Sequence, residues 1–220
     1  MNREEIARCL IFGAGDYTGT PDVSGACEDS LIIAADGGYK YLGQLGMEPD
    51  VYIGDYDSAE CPTGVEALRL PVEKDDTDML AAVKLALGRG CVELHLFGGT
   101  GGRLDHTLAN IQTLRFISER GCRGYLYGNG CAMTALSGET VSLPPRAAGD
   151  VSLFALDGEI SRVTIEGLKY SMTNGRIGSD YPIGVSNSFI GEAARITVGQ
   201  GTALLYYCCD RVIGLDRKTV

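Results

Sequence analysis

In the first half of the chain, apolar residues come in short unbroken runs rather than in alternation. Residues 9–12, 31–35 and 51–53 are such runs, each followed by Gly or Asp, the pattern of strands buried on both faces. From Met79 the spacing changes. Met79, Leu80, Val83 and Leu87 recur at helical intervals, Asp76 or Thr77 can cap the start, and Gly88 and Gly90 supply a stop. Residues 92–97 return to the strand pattern. A second helix is predicted after them, with Leu108, Ile111, Leu114 and Ile117 on its buried face and Gly121 at its end, before residues 125–127 rejoin the sheet. Strands alternating with helices predict an α/β domain with a mainly parallel sheet.

Beyond about residue 130 the pattern becomes short β-branched segments, at 151–156, 163–165, 194–198 and 203–207, with no long helical stretch. AAGD at 147–150, NG at 174–175 and GQG at 199–201 are expected to connect them. The chain is therefore expected to form an α/β domain over residues 1–130 and an all-β sandwich over residues 131–220, with the boundary inside 129–146.

Composition adds limits. With 220 residues, 45% hydrophobic and 22% charged, the chain is globular. Nineteen basic against twenty-nine acidic residues give a net charge of −10, which argues against nonspecific binding to nucleic acid or an anionic membrane. A polyanionic substrate would need a metal. The opening MNREEIARCLIF has no signal-peptide pattern and no apolar run is long enough to span a bilayer, so a cytoplasmic protein is expected. The eight cysteines are scattered and form no CxxC. They read as small buried hydrophobes rather than as a disulfide framework or a zinc site.

Candidate chemistry is concentrated in the first half. Five aspartates fall in two stretches, Asp55 and Asp57 in GDYDS, and Asp75, Asp76 and Asp78 in KDDTD. Crowded carboxylates repel one another unless a cation makes their joint ionisation favourable, and Mg²⁺ is suited to bridging carboxylates to phosphates. Asp36 ends the second strand and Asp55 and Asp57 end the third, at the strand ends where ligands gather in open α/β sheets. Lys74 and Thr77 add a cation and a hydroxyl suited to phosphate oxygens.

GGTGGRLDH at 98–106 follows a strand and opens a helix, so the backbone around Gly99 and Gly102 and the helix N-terminus can cradle phosphate. It is neither a Walker A motif nor a dinucleotide fingerprint. The Arg103 fork matches phosphate geometry, and Asp105 can orient it or cap the helix. His106 is open between a cap-region hydrogen bond and a general base. Near the C-terminus, GLKY at 167–170 and GVSNSF at 184–189 offer hydroxyl, amide and aromatic groups that serve as turn and core residues or read a heterocycle, with Ser186 and Asn187 as its hydrogen-bonding residues.

ADGG, PDVYIGDYDS, KDDTD, GGTGGRLDHTLAN and SNSF, in this order across nearly the whole chain, resemble the thiamine pyrophosphokinase family. The resemblance implies an N-terminal catalytic domain binding ATP and Mg²⁺, a C-terminal β-sandwich that binds thiamine and dimerises, and transfer of pyrophosphate from ATP to thiamine in a homodimer. It implies that Asp36, Asp55, Asp57 and Asp78 surround Mg²⁺ and the phosphates, with Asp55, Asp57, Asp78 and Arg103 catalytic. It further implies that Lys74, Asp75, Thr77, Arg103 and Asp105 line the ATP side, and that Ser186 and Asn187 meet thiamine. Some relatives use a Trp near thiamine. This chain has none, which leaves Tyr181 or Phe189 to stack on the heterocycle. A pyrophosphokinase for a hydroxymethylpterin and a noncatalytic nucleotide or thiamine sensor are the alternatives.

Overall fold

The uninterrupted apolar runs become the interior of a parallel sheet. The computed structural model describes residues 8–54, 65–71, 75–212 and 214–220. It divides into one unit of Met1–Gly130 with Asp210–Val212 and another of Cys131–Cys209 with Ile213–Val220.

The first unit contains strands β1 (Arg8–Phe12), β2 (Ser30–Ala35), β3 (Val51–Gly54), β4 (Glu66–Arg69), β5 (Glu93–Phe97) and β6 (Arg123–Gly128). Its helices are α1 (Gly38–Gln44), α2 (Asp78–Gly88) and α3 (Leu104–Ser118). Neighbouring strands pair in parallel in the order β6-β5-β1-β2-β3-β4. Cys9, Leu10, Ile11 and Phe12 of β1 and Leu94, Leu96 and Phe97 of β5 are wholly inaccessible to solvent. Each large apolar side chain so buried contributes about 1.5–3 kcal/mol. Phe97 stacks on Phe12 at 5.0 Å and on Tyr127 at 4.9 Å between ring centroids, so one aromatic row crosses β1, β5 and β6. Among the described residues no helix is long and apolar enough to cross a membrane.

The second unit is strand-rich: β7 (Cys131–Leu143), β8 (Asp150–Ala155), β9 (Glu159–Glu166), β10 (Met172–Gly178), β11 (Asn187–Ser188), β12 (Ala194–Cys208) and β13 (Asp216–Thr219). Antiparallel pairing joins β10, β9, β12 and β7 in that order, and β13 lies on β7. One flank of β12 pairs with β7. The other pairs first with β9, through Gln200, and then with β8, from Ala203 onward. One long strand, β12, thus carries both the β9–β10 and the β8–β11 pairings.

Several expectations from the sequence need correction. GQG at 199–201 does not separate two strands: it lies inside β12 at a register shift between Val198 and Thr202. The NG pair is likewise inside β10, where Asn174 takes a φ of 49° and the register shifts on both sides of Gly175. A bulge and a turn draw on the same residues, because both need left-handed backbone. In α3 the buried stripe is Asn110, Thr113, Leu114 and Ile117, whereas Leu108 is 55% exposed. Helix α1 and strand β4 escaped the reading. The first is only seven residues long and contains two glycines, and the second is largely exposed. Strand β7 escaped it too, having Gly138 at a φ of 63° in its middle.

Candidate active site

Sheet order fixes where a ligand can bind. From β1 the chain moves outward to β2 on one side, while β5 and β6 lie on the other, so the crevice between the carboxyl ends of β1 and β5 is a topological switch point. Two glycine-rich loops leave those ends, residues 13–15 (GAG) after β1 and residues 98–103 (GGTGGR) after β5. Backbone hydrogen bonds join them: Gly13 N–H to the Phe97 carbonyl at 2.8 Å, Gly15 N–H to that of Gly98 at 2.8 Å, and Asp16 N–H to that of Thr100 at 3.0 Å. Beneath them the Tyr17 hydroxyl donates to the Gly13 carbonyl at 2.6 Å, and its ring stacks on Tyr41 at 3.6 Å. Burial pushes the Tyr17 hydroxyl pKa well up, so it stays a donor. Gly98 has a φ of 61°, and a Cβ there would lie 2.6 Å from the Tyr17 ring, so only glycine fits.

The cavity at this crevice has a volume of about 350 Å³ and is lined by both loops together with Asp36, Thr77, Asp78, Met79, His106 and Asn110. Asp36 follows β2 in left-handed backbone, with a φ of 48° and its N–H donated to the Ile53 carbonyl at 2.9 Å. Outside glycine that conformation is uncommon, though Asp tolerates it better than most residues. Asp78 opens α2, whose cap is Thr77: the threonine Oγ1 accepts the Leu80 N–H at 3.2 Å. The amino ends of α2 and α3 both meet the cavity, the first through Thr77 and Asp78 and the second through Arg103 and His106. Two helix N-termini supply partial positive charge and exposed N–H groups suited to an anion.

Arg103 is 72% exposed and paired with Asp105, Nη2 to Oδ2 at 2.6 Å and Nε to Oδ1 at 3.2 Å. Its guanidinium holds the Asp105 carboxyl below the usual carboxylate range. Asp105 thus orients Arg103, and its Oδ1 also accepts the His106 N–H at 3.0 Å. Asp76 is bound to Lys84, Nζ to its two oxygens at 2.7 and 2.6 Å. Asp75 is exposed and does not line the cavity.

The crevice thus brings together Asp36, Thr77, Asp78, Gly99, Gly102, Arg103 and His106. Asp55, Asp57 and Lys74 lie outside the described residues. The sequence reading missed the GAG loop and gave no role to Thr100 or Asn110 within GGTGGRLDHTLAN. A glycine pair directly after the first apolar run was the available signal for the loop. Asn110 was marked by its place at the end of GGTGGRLDHTLAN.

Ser186 and Asn187 belong to the second unit. Asn187 is 7% exposed and commits its amide to the chain: Oδ1 accepts the N–H groups of Tyr170 and Ser188, each at 2.9 Å, and Nδ2 donates to the Tyr170 carbonyl at 2.7 Å. Ser186 is exposed, has a φ of 62°, and donates its N–H to the Ser152 hydroxyl at 3.1 Å. Ser152, Tyr170, Met172, Ile183 and Asn187 are among the residues lining a cavity of about 380 Å³. Phe189 is buried, which removes it as a stacking surface, whereas Tyr181 and Tyr170 are exposed.

Comparison with known proteins matches residues 26–126 to the family model "Thiamin pyrophosphokinase, catalytic domain" and residues 140–203 to "Thiamin pyrophosphokinase, vitamin B1 binding domain". A thiamine pyrophosphokinase of Bacillus subtilis is 26% identical over 216 residues, 91% of this chain and 98% of that protein. A crystal structure of thiamine pyrophosphokinase from Bacillus subtilis superposes with a TM-score of 0.84 at 24% identity, covering 92% of this chain and 99% of that one. One from Geobacillus thermodenitrificans does so with a TM-score of 0.82 at 25% identity, covering 93% and 99%.

Proposed function

The chain belongs to the thiamin pyrophosphokinase family, and from that premise we propose that it transfers the pyrophosphoryl group of ATP to the primary hydroxyl of thiamine, giving thiamine diphosphate and AMP. The observation that carries the reading is the convergence of two helix N-termini, two glycine loops, Asp36, Asp78 and Arg103 on one cavity at the switch point.

In this reaction the hydroxyl oxygen attacks the β-phosphorus, the bond from that phosphorus to the oxygen bridging it to the α-phosphorus breaks, and AMP departs with that oxygen. Little covalent chemistry falls to the protein, so catalysis rests on positioning and on stabilising charge at the phosphate oxygens. The glycine loops and the N-termini of α2 and α3 hold the polyphosphate. Arg103, held ready by Asp105, meets the transferring group. An aspartate, Asp78 of the cavity lining or Asp57, takes the hydroxyl proton.

Asp36 and Asp78 are hard oxygen donors lining the same cavity as the phosphate loops, a donor set that fits Mg²⁺. These two, with Asp55 and Asp57, would hold the ion, which when bound supplies neutralisation of phosphate charge.

Support for thiamine recognition by the second unit comes from the cavity beside Asn187 and from the exposed Ser186 in left-handed backbone, since strain of this kind collects at functional sites. Tyr170, fixed by Asn187, joins Tyr181 as a surface for stacking. A homodimer belongs to the same proposal, supported by Tyr181, Ile183, Val185 and Ile190, which expose apolar surface in this unit. The seven described cysteines are free thiols, in keeping with a reducing, cytoplasmic setting.

The test is to incubate the purified protein with ATP, Mg²⁺ and thiamine while measuring AMP and thiamine diphosphate together. Equal formation of both, stopped by a chelator, is expected. AMP without thiamine diphosphate, or neither product, overturns the reading.

A further inference from the structure

Asn110 is 6% exposed on the buried stripe of α3, otherwise made of Thr113, Leu114 and Ile117. A carboxamide in such a place loses its hydration and is tolerated only when hydrogen-bonded. Its Nδ2 donates to the Gly99 carbonyl at 2.7 Å, a bond buried at both ends. The amide cannot be flipped, since Oδ1 would then face the carbonyl as a second acceptor. Thr113, one turn along, bonds within its own helix, Oγ1 to the Ala109 carbonyl at 3.0 Å.

Gly99 is confined from both sides: a Cβ there would lie 2.7 Å from Leu126 Cδ1 and 2.9 Å from Asn110 Nδ2. Its neighbours Gly98, Gly101 and Gly102 all have positive φ, at 61°, 77° and 63°. A loop this rich in glycine has little conformational preference of its own. The bond from Asn110 sets the plane of the peptide between Gly99 and Thr100, and the Thr100 carbonyl in turn receives the Asp16 N–H from the loop after β1. Through that plane one side chain holds the shape of the cavity wall.

We propose that Asn110 is a positioning residue for the nucleotide: by holding the Gly99 carbonyl from α3 it keeps the glycine loop in the form that receives the polyphosphate. The proposal rests on the reading of the crevice as the ATP site. It requires the loss of the bond to weaken ATP far more than thiamine.

Asn110→Leu keeps the branched shape and removes the donor. The expected result is a KM for ATP raised about tenfold, with the KM for thiamine little changed and the Tm lowered only as far as one unpaired Gly99 carbonyl accounts for. Asn110→Asp, which sets a charged acceptor against the carbonyl, is expected to raise it further, and Thr113→Val to leave it unchanged. Binding of a nonhydrolysable ATP analogue, measured by calorimetry on the same proteins, supplies a readout independent of turnover. Unaltered analogue affinity in a folded Asn110→Leu protein overturns the role of Asn110 and leaves the pyrophosphokinase reading standing. If the wild type binds the analogue tightly, Asn110→Leu binds it weakly, and neither makes thiamine diphosphate, the acceptor is wrong and the positioning role holds. A parallel rise in both KM values that follows a fall in Tm reduces Asn110 to a packing residue and also overturns the proposal.

Discussion

Phe12 and Phe97 stand opposite one another at the last paired position of β1 and β5, with ring centroids 5.0 Å apart and planes inclined by 20°. Each is the residue immediately before a glycine of the crevice, Gly13 or Gly98. The floor of the candidate site is therefore a core contact, and its rigidity comes from packing.

Phe97→Ala is accordingly expected to destabilise the protein by about 3–5 kcal/mol, the usual cost of an aromatic-sized cavity in a closed core. The urea midpoint measures it. ATP affinity should fall in the fraction that remains folded. A loss below about 1 kcal/mol would mean that the two strands can close over the gap.

Replacing the carboxylates tests charge without altering shape. Asp36→Asn preserves a side chain that tolerates the φ of 48°, and Asp78→Asn leaves the Thr77 cap in place. Each is expected to lower AMP formation by about 100-fold or more, the scale seen when a group stabilising transition-state charge is lost, with an unchanged thermal melt. Near-normal turnover in either folded variant would remove that residue from the machinery.

Asn187 supplies the complementary case. Its amide closes three hydrogen bonds around Tyr170 and Ser188, and Asn187→Leu leaves those groups without it. A KM for thiamine raised about tenfold, with the KM for ATP unchanged, is the expected outcome in steady-state kinetics. A change confined to ATP would detach this residue from thiamine recognition.

A pH effect is built into the sheet away from the crevice. His95 is 1% exposed, with Nδ1 2.8 Å from the Tyr127 hydroxyl and Nε2 3.1 Å from Glu93 Oε1. Burial lowers its pKa from the ordinary 6.5, more than Glu93 raises it. The hydrogen bond from His95 holds Glu93 below its ordinary 4.5. In both cases the unfolded chain binds protons more readily, so acidification favours unfolding. Stability should hold above about pH 6.5, fall as pH drops toward the folded pKa of His95, and fall again below about pH 4.5 as Glu93 is protonated. Urea midpoints between pH 8 and pH 4 check this. His95→Leu should flatten the upper step, and a stability that rises on acidification through pH 6 would contradict the assignment.

Legibility followed the physics of each element. Strands β1, β2, β3 and β5 could be read because strands covered on both faces leave solid apolar runs. Helix α2 could be read because Thr77 and the glycines after Leu87 bracket a periodic stretch. The second half was harder, since a bulge inside a strand and a turn between two strands use the same residues, and only the pairing partner distinguishes Gly199 and Gly201 in β12 from a connection. The candidate site divided the same way. Carboxylates and Arg103 announce their chemistry through residue type, whereas Asn110, though inside GGTGGRLDHTLAN, matters through one contact, with the Gly99 carbonyl, that its residue type does not announce. Leu108 misled for a related reason: helical spacing gives a face but not which neighbours cover it.

Strand β12 carries a consequence for how the protein is made. Cys131 at the start of β7 pairs with Cys208 at the end of β12, 77 residues later. During synthesis β7 must leave the ribosome long before β12 or β13 exists, so its residues 139–142 wait for a neighbour on either side. β8 and β9, which also lean on β12, wait with it. In the first unit β1 gains β2 early but waits for β5, since Arg8 pairs with Glu93, 85 residues later. A ribosome paused between Leu143 and Ala194 would therefore hold the second unit's sheet half built, an interval in which this chain needs protection from pairing with another.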